Sequence, residues 1–203
     1  YEGDFHNAKQ LLAAMGRRMG GRREPEHQTA LEVFRAERSA RHQEHECLSR
    51  LVVRLEPGYR LTLRRAPSIV DACAQAWGVA GALPMLVSLK TLVGVLSAAE
   101  WYRKGLEVPG LEGRLHPHYG VFSPTRTAYV ELLSKAPAPS GKRVFEVGTG
   151  SGVLSFVLLQ RGAASAVGTD IEPRSVACAR ENAARLGLQS RFEAHERELD
   201  LRM

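Results

Sequence analysis

The sequence predicts an α/β protein: a parallel, doubly wound sheet in its C-terminal part, preceded by a mainly helical N-terminal domain. Three observations carry this. From Lys142 onward, short apolar runs alternate with helical patterns in the order β-α-β-α-β. Glycine stands at positions 148, 150 and 152, where the first apolar run meets the first of these helices. Before residue 105, by contrast, apolar residues recur mostly at helical spacing. A chain of 203 residues, 44% of them hydrophobic, is long enough for one or two cored domains. The expected division is 1–104, mainly helical; 105–141, a hairpin and linker; and 142–203, the start of a sheet domain.

Taken in order, "YEGDFHNAKQLLAAM" predicts a first helix, interrupted by the Gly- and Arg-rich "MGRRMGGRREPEH". Thr29 is placed to cap the helix that begins at "ALEVF". "LVVRL" and "YRLTLRR", separated by Pro57-Gly58, read as a hairpin. Ser68 and Asp71 give the next helix a start resembling a capping box, and Gly78 ends it. A further helix is expected to run through Trp101. Turn residues at Pro109-Gly110 and Glu112-Gly113 predict a small hairpin. The aromatic, proline-bearing loop "HPHYGVFSPTR" follows, placed either to cover a ligand or to pack at a domain junction. The helix "TRTAYVELL" comes next, with Tyr129, Leu132 and Leu133 turned inward.

Charge and cysteine usage exclude little but point one way. The net charge is +6, and residues 1–65 supply +4 of it, with 13 Lys and Arg against 9 Asp and Glu. That balance permits an acidic partner at the N-terminal end. Arg17, Arg18, Arg22 and Arg23 read more simply as a solvated loop than as phosphate ligands. Three cysteines without close spacing argue for a reducing, cytoplasmic setting. The apolar run from Val79 to Ala99 raises a membrane span, but it holds Pro84 and Lys90. A lysine at mid-bilayer costs roughly 2.5–3.5 kcal/mol, so a buried helix is the better reading and no membrane partner is expected. His42, His45 and Cys47 lack a second ligand cluster, so no metal site is expected.

The chemistry sits between residues 142 and 198. "RVFEV" reads as a buried strand, "GVLSFVLLQRG" as a helix, and "SAVGTD" as a second strand. "PRSVACARENAARLG" reads as a helix with Pro173 at its first position and Gly187 as its C-cap. Its sheet-facing stripe is Val176, Ala179, Ala183 and Leu186; "SRFEAHE" is a third strand. A dinucleotide fingerprint needs glycine at 153, where Val153 stands, which argues against a nicotinamide-dependent oxidoreductase. No lysine follows the glycines as in a P-loop. What remains is Glu146, then G-x-G-x-G, then Asp170 at the end of the next strand, 20 residues after Gly150. An acid there accepts hydrogen bonds from ribose hydroxyls, and glycines let backbone pass close under a ligand. A nucleoside without a polyphosphate fits this loop best.

"VFEVGTGSGVL" followed by "GTDIEPRSVACARENAARLGL" resembles motif I and the second-strand acid of the class I S-adenosylmethionine-dependent methyltransferases. The resemblance spans residues 142–190. Within that class the layout is similar to the release-factor glutamine methyltransferases, and the segment at Asp170 to the ribosomal-protein methyltransferases. "GVFS" is similar to a segment of the ribosomal-RNA guanine methyltransferases. The resemblance implies a Rossmann-like core, partial in this sequence, with S-adenosyl-L-methionine as cofactor and 1–104 as a substrate-recognition domain. It implies that the loop Gly148, Thr149, Gly150, Ser151 and Gly152 runs beneath the methionine part. Glu146 would orient that loop and approach the amino group, while Asp170 would hold the ribose hydroxyls. Ile171 would lie against the adenine, with Glu198 near its amino group.

The relatives carry an Asn-Pro-Pro-aromatic motif at the end of a fourth strand, and this sequence ends at "ERELDLRM" before that strand. The sequence is therefore expected to be a portion of a longer protein, and no catalytic residue can be named from it. The expected activity is methylation of a nitrogen on a protein side chain or RNA. A small-molecule methyltransferase and a non-catalytic cofactor-binding partner subunit stand as alternatives; the oligomeric state stays open.

Overall fold

A computed structural model describes residues 3–19 and 29–198. The chain divides into two compact units, Tyr1–Ser97 and Ala98–Met203.

The first unit opens with α1 (Phe5–Met19), held at its start by Asp4. Asp4 accepts a hydrogen bond from the Asn7 N–H at 3.1 Å and pairs with Arg65 at 2.6 Å. The helix continues through Gly16 and the first two arginines of the expected interruption; Arg22 and Arg23 lie outside the described residues. Thr29 caps α2 (Ala30–Ser49) in a full capping box with Glu32.

The expected hairpin of "LVVRL" with "YRLTLRR" does not form. Strand β1 (Val52–Leu55) pairs instead, antiparallel, with β2 (Met85–Ser88). Gly58, Tyr59 and Arg65 all have positive φ, so the intervening run turns repeatedly and takes part in two isolated bridges, Glu56 to Arg60 and Arg64 to Asp4. Between the two strands lies α3 (Val70–Trp77), which starts after Ile69 without a side-chain cap. Ser68 is therefore not the cap. The long apolar run from Val79 is not one helix either. Pro84 disfavours helical backbone at Leu83, so the run begins as a loop with Val79 and Leu83 exposed. It then gives β2, and only at Leu89 does α4 (Leu89–Lys104) begin. Among the described residues no helix is long and apolar enough to cross a membrane.

The second unit begins with the last turns of α4 and the small antiparallel hairpin of β3 (Leu106–Glu107) with β4 (Arg114–Leu115), as the turn residues predict. In α5 (Ala128–Lys135), Val130 is fully buried, and Tyr129 and Leu133 are half-buried against the core. Leu132 points outward instead, at 73% exposure, because it lies about 200° round the helix from the fully buried Val130.

The remaining elements are β5 (Arg143–Val147), α6 (Val153–Gln160), β6 (Ser165–Asp170), α7 (Pro173–Arg185) and β7 (Phe192–Glu196). The three strands form one parallel sheet in the order β5-β6-β7. Pro173 occupies the start of α7 as predicted; the C-cap itself is Leu186, and Gly187 follows it with φ 70°. The core gathers Val153, Phe156, Val157 and Leu159 of α6 with Val176, Ala179 and Ala183 of α7. Phe156 and Phe192 meet edge to face at 5.0 Å. The run "RVFEV" does not form the buried strand its apolar residues predict. Strand β5 is not buried throughout, since Arg143, Phe145 and Val147 are exposed on one of its faces.

Candidate cofactor site

The site lies at the carboxyl ends of β5 and β6, where parallel sheets of this winding bind ligands. The register sets Glu146 beside Gly168 and Val147 beside Thr169. Gly168 has to be glycine: a Cβ there would lie 2.6 Å from the Thr149 hydroxyl. Beyond β5 the chain turns so sharply that the N–H groups of Gly148 and Thr149 both donate to the Thr169 carbonyl, at 2.8 and 2.9 Å. Gly148, Gly150 and Gly152 all have positive φ. Their surroundings differ. A Cβ on Gly148 or Gly150 would meet nothing within 4 Å, whereas one on Gly152 would strike the Phe156 ring at 2.3 Å. The first two glycines thus border open space and the third is pressed on the core.

Two carboxylates frame the loop. Glu146 Oε2 accepts from the Thr149 hydroxyl at 2.9 Å, from the Ser155 N–H at 3.2 Å, and from the Ser155 hydroxyl. Burial pushes its carboxyl above the usual carboxylate range, partly offset by these hydrogen bonds, and the nearby charge of Asp170 adds to the rise. Asp170 Oδ2 accepts from the Gly150 N–H at 2.9 Å, and Oδ1 from the Glu172 N–H at 3.0 Å. Each carboxylate oxygen offers two acceptor directions, so both oxygens of Asp170 keep capacity for a further donor.

The remaining predicted positions divide. Thr149 and Ser151 are buried, and Thr149 turns its hydroxyl toward Glu146, away from the open side. Ile171 is exposed and, with Glu196, Arg197 and Glu198, lines a cleft of about 360 Å³ beyond Asp170. Glu198 lies past the end of β7; the strand's last residue, paired with Asp170, is Glu196. Sequence reasoning passed over Ser155, Gly168, Thr169 and Asn182. Gly168, a glycine inside a strand opposite an acid, was the one visible signal among them.

No three His, Cys, Asp or Glu side chains gather as metal ligands among the described residues. His45 Nδ1 instead lies 3.5 Å from Lys90 Nζ.

A parallel β-α-β-α-β unit with a glycine loop strung between two carboxylates is a Rossmann-like arrangement. Residues 124–202 match the family described as ribosomal protein L11 methyltransferase (PrmA). The chain is 41% identical over 105 residues to the ribosomal protein L11 methyltransferase of Deinococcus radiodurans, a match covering 49% of this chain and 38% of that protein. It is 43% identical over 56 residues to the enzyme of the same name from Salmonella arizonae, covering 28% of this chain and 19% of that protein. A solved ribosomal protein L11 methylase from Lactobacillus delbrueckii subsp. bulgaricus superposes with a TM-score of 0.36 at 30% identity, covering 46% of this chain and 45% of that one. The chain therefore spans less than half the length of the relatives it matches.

Proposed function

We propose that this chain carries the cofactor-binding part of an S-adenosylmethionine-dependent methyltransferase whose acceptor is a nitrogen on a ribosomal protein. The observation that carries the cofactor reading is the pair of carboxylates hydrogen-bonded to one glycine loop, with open space above Gly148 and Gly150. The residues fit the group. Backbone of Gly148 and Gly150 admits close approach of the methionine part. Thr149, Ser151 and Gly152 shape the loop from beneath. The described bonds to Glu146 all fall on Oε2, which leaves Oε1 for the ligand's ammonium. Asp170 retains acceptor capacity for the ribose hydroxyls, and the cleft lined by Ile171 and Glu198 suits the adenine.

When bound, S-adenosylmethionine supplies a methyl group on a sulfonium centre, ready for in-line displacement. The residues of this chain hold and orient it, which is the larger part of such catalysis. The protein acceptor follows the relatives' names, and residues 1–104 are proposed to recognise it. A cytoplasmic setting accords with the three free cysteines.

Calorimetric titration of the chain with S-adenosylhomocysteine, NAD serving as control, tests the reading. Binding is expected for the first ligand alone. Asp170→Ala removes a loop tether and the ribose acceptor together, so affinity should fall by about a hundredfold, the sum of two charged hydrogen bonds. If S-adenosylhomocysteine does not bind the wild-type chain, the glycine loop is a structural turn and the proposal fails.

A further inference from the structure

Asn182, in the last turn of α7, is completely buried, and its carboxamide touches two stretches of chain far apart in sequence. Its Oδ1 accepts from the His116 N–H at 2.8 Å. Its Nδ2 faces three acceptors: the His116 carbonyl at 3.2 Å, the Ser151 carbonyl at 3.4 Å and Cys178 Sγ at 3.4 Å. A carboxamide has two N–H groups, so three acceptors share them and none is held tightly. Ser151 belongs to the glycine loop. His116 opens the segment 116–119, which lies along α7 as a strap.

That strap has other ties, and none of them involves the glycine loop. Glu181 accepts from His118 at 2.8 Å and from Tyr102 at 2.7 Å, and pairs with Arg185 at 2.6 Å. Arg174 donates to the Tyr119 carbonyl at 3.0 Å, and the His118 N–H points at Cys178 Sγ at 3.4 Å. The Cys178 thiol, which burial pushes up to about 11 and so keeps protonated, lies 3.6 Å from the His116 carbonyl. It is thus an alternative donor to that carbonyl if Asn182 turns its hydrogens toward Ser151.

We propose that Asn182 is a positioning residue that couples the glycine loop to the 116–119 strap: a ligand that settles the loop redistributes the Asn182 hydrogen bonds and thereby tightens or loosens the strap. The inference rests on the cofactor reading above. Its consequence is that the aromatic segment following the strap, Val121 to Pro124, responds to whether the site is filled.

Amide hydrogen exchange on the full chain, with and without saturating S-adenosylhomocysteine, tests it. In the wild type, ligand should change exchange at strap residues 116–119 by about tenfold, alongside protection of residues 148–152. In Asn182→Ala the loop should still respond, the strap should not, and affinity should drop about fivefold to tenfold. Glu181→Gln weakens the strap's ties without touching the loop, so its strap should exchange faster yet keep the wild-type ligand response. If the wild-type strap ignores a ligand that does protect the loop, the coupling is refuted without any variant. A strap response preserved in Asn182→Ala, or lost in Glu181→Gln instead, overturns it equally. Failure of the wild-type chain to bind would sink the cofactor reading itself, a distinguishable result.

Discussion

At the scale of single residues, the three loop glycines look equivalent in sequence and are not equivalent in structure. Gly148 and Gly150 face open space, so alanine there meets only the cost of left-handed backbone, about 1–2 kcal/mol. Gly152 adds a collision with Phe156, whose fully buried ring is held against Phe192. Gly152→Ala should therefore destabilise the chain by about 3 kcal/mol or more, and Gly148→Ala by clearly less. Urea unfolding of both variants measures the gap. Equal losses would mean that the Phe156 ring yields and that the third glycine is not a packing residue. The alternation of glycine was legible in sequence, and so were both acids. The partners that fix them were not. Ser155 lies nine residues beyond Glu146, and Asn182 reaches Ser151 from another helix, so neither contact leaves a local pattern.

The elements from Arg143 to Glu196 were read correctly, whereas in the first unit the partner of β1 and the course of the apolar run from Val79 were not. The strands and helices from Arg143 to Glu196 follow from periodicity, because each helix packs on the strands that flank it. Strand β1, by contrast, finds its partner 33 residues downstream, from Val52 to Met85, across a whole helix. Nothing in either run names the other, and the nearer alternation at "YRLTLRR" offered a false match. Helix α7 also carries a network that amphipathic pattern alone could not reveal. Burial works against ionising Glu181, yet its bonds from Tyr102, Arg185 and His118 prevail and lower its carboxyl from 4.5 to about 2. A lowered carboxylate stabilises the folded state wherever the unfolded group is already ionised. That contribution is complete above about 4.5 and disappears as pH falls through about 2. Glu181→Gln should thus lower the Tm by a few degrees at neutral pH and flatten its dependence on pH across that acid window. Melting curves at a series of pH values check this; an unchanged slope would show that other carboxylates govern acid unfolding.

At the scale of the whole molecule, the sheet is the feature that most constrains behaviour in solution. Among the described residues β5 pairs on one side only, with β6. Its Val144 packs on the core, while Phe145 and Val147 stand 59% and 57% exposed on its other face. Exposed apolar side chains along an unpaired strand edge favour pairing between chains. The net charge of +6 opposes association, but Debye screening cuts its reach to about 10 Å at 0.1 M salt. The 203-residue chain is therefore expected to self-associate at micromolar concentration, more strongly as salt is raised. Phe145→Glu places a charge in the middle of the patch without touching the core face of β5, and should shift the population to monomer while leaving thermal stability within about 0.5 kcal/mol. Sedimentation velocity at low and high salt distinguishes the outcomes. A wild-type chain that stays monomeric at both would mean that charge and the twist of the sheet already protect the edge. Association that survives Phe145→Glu would move the sticky surface to another part of the molecule.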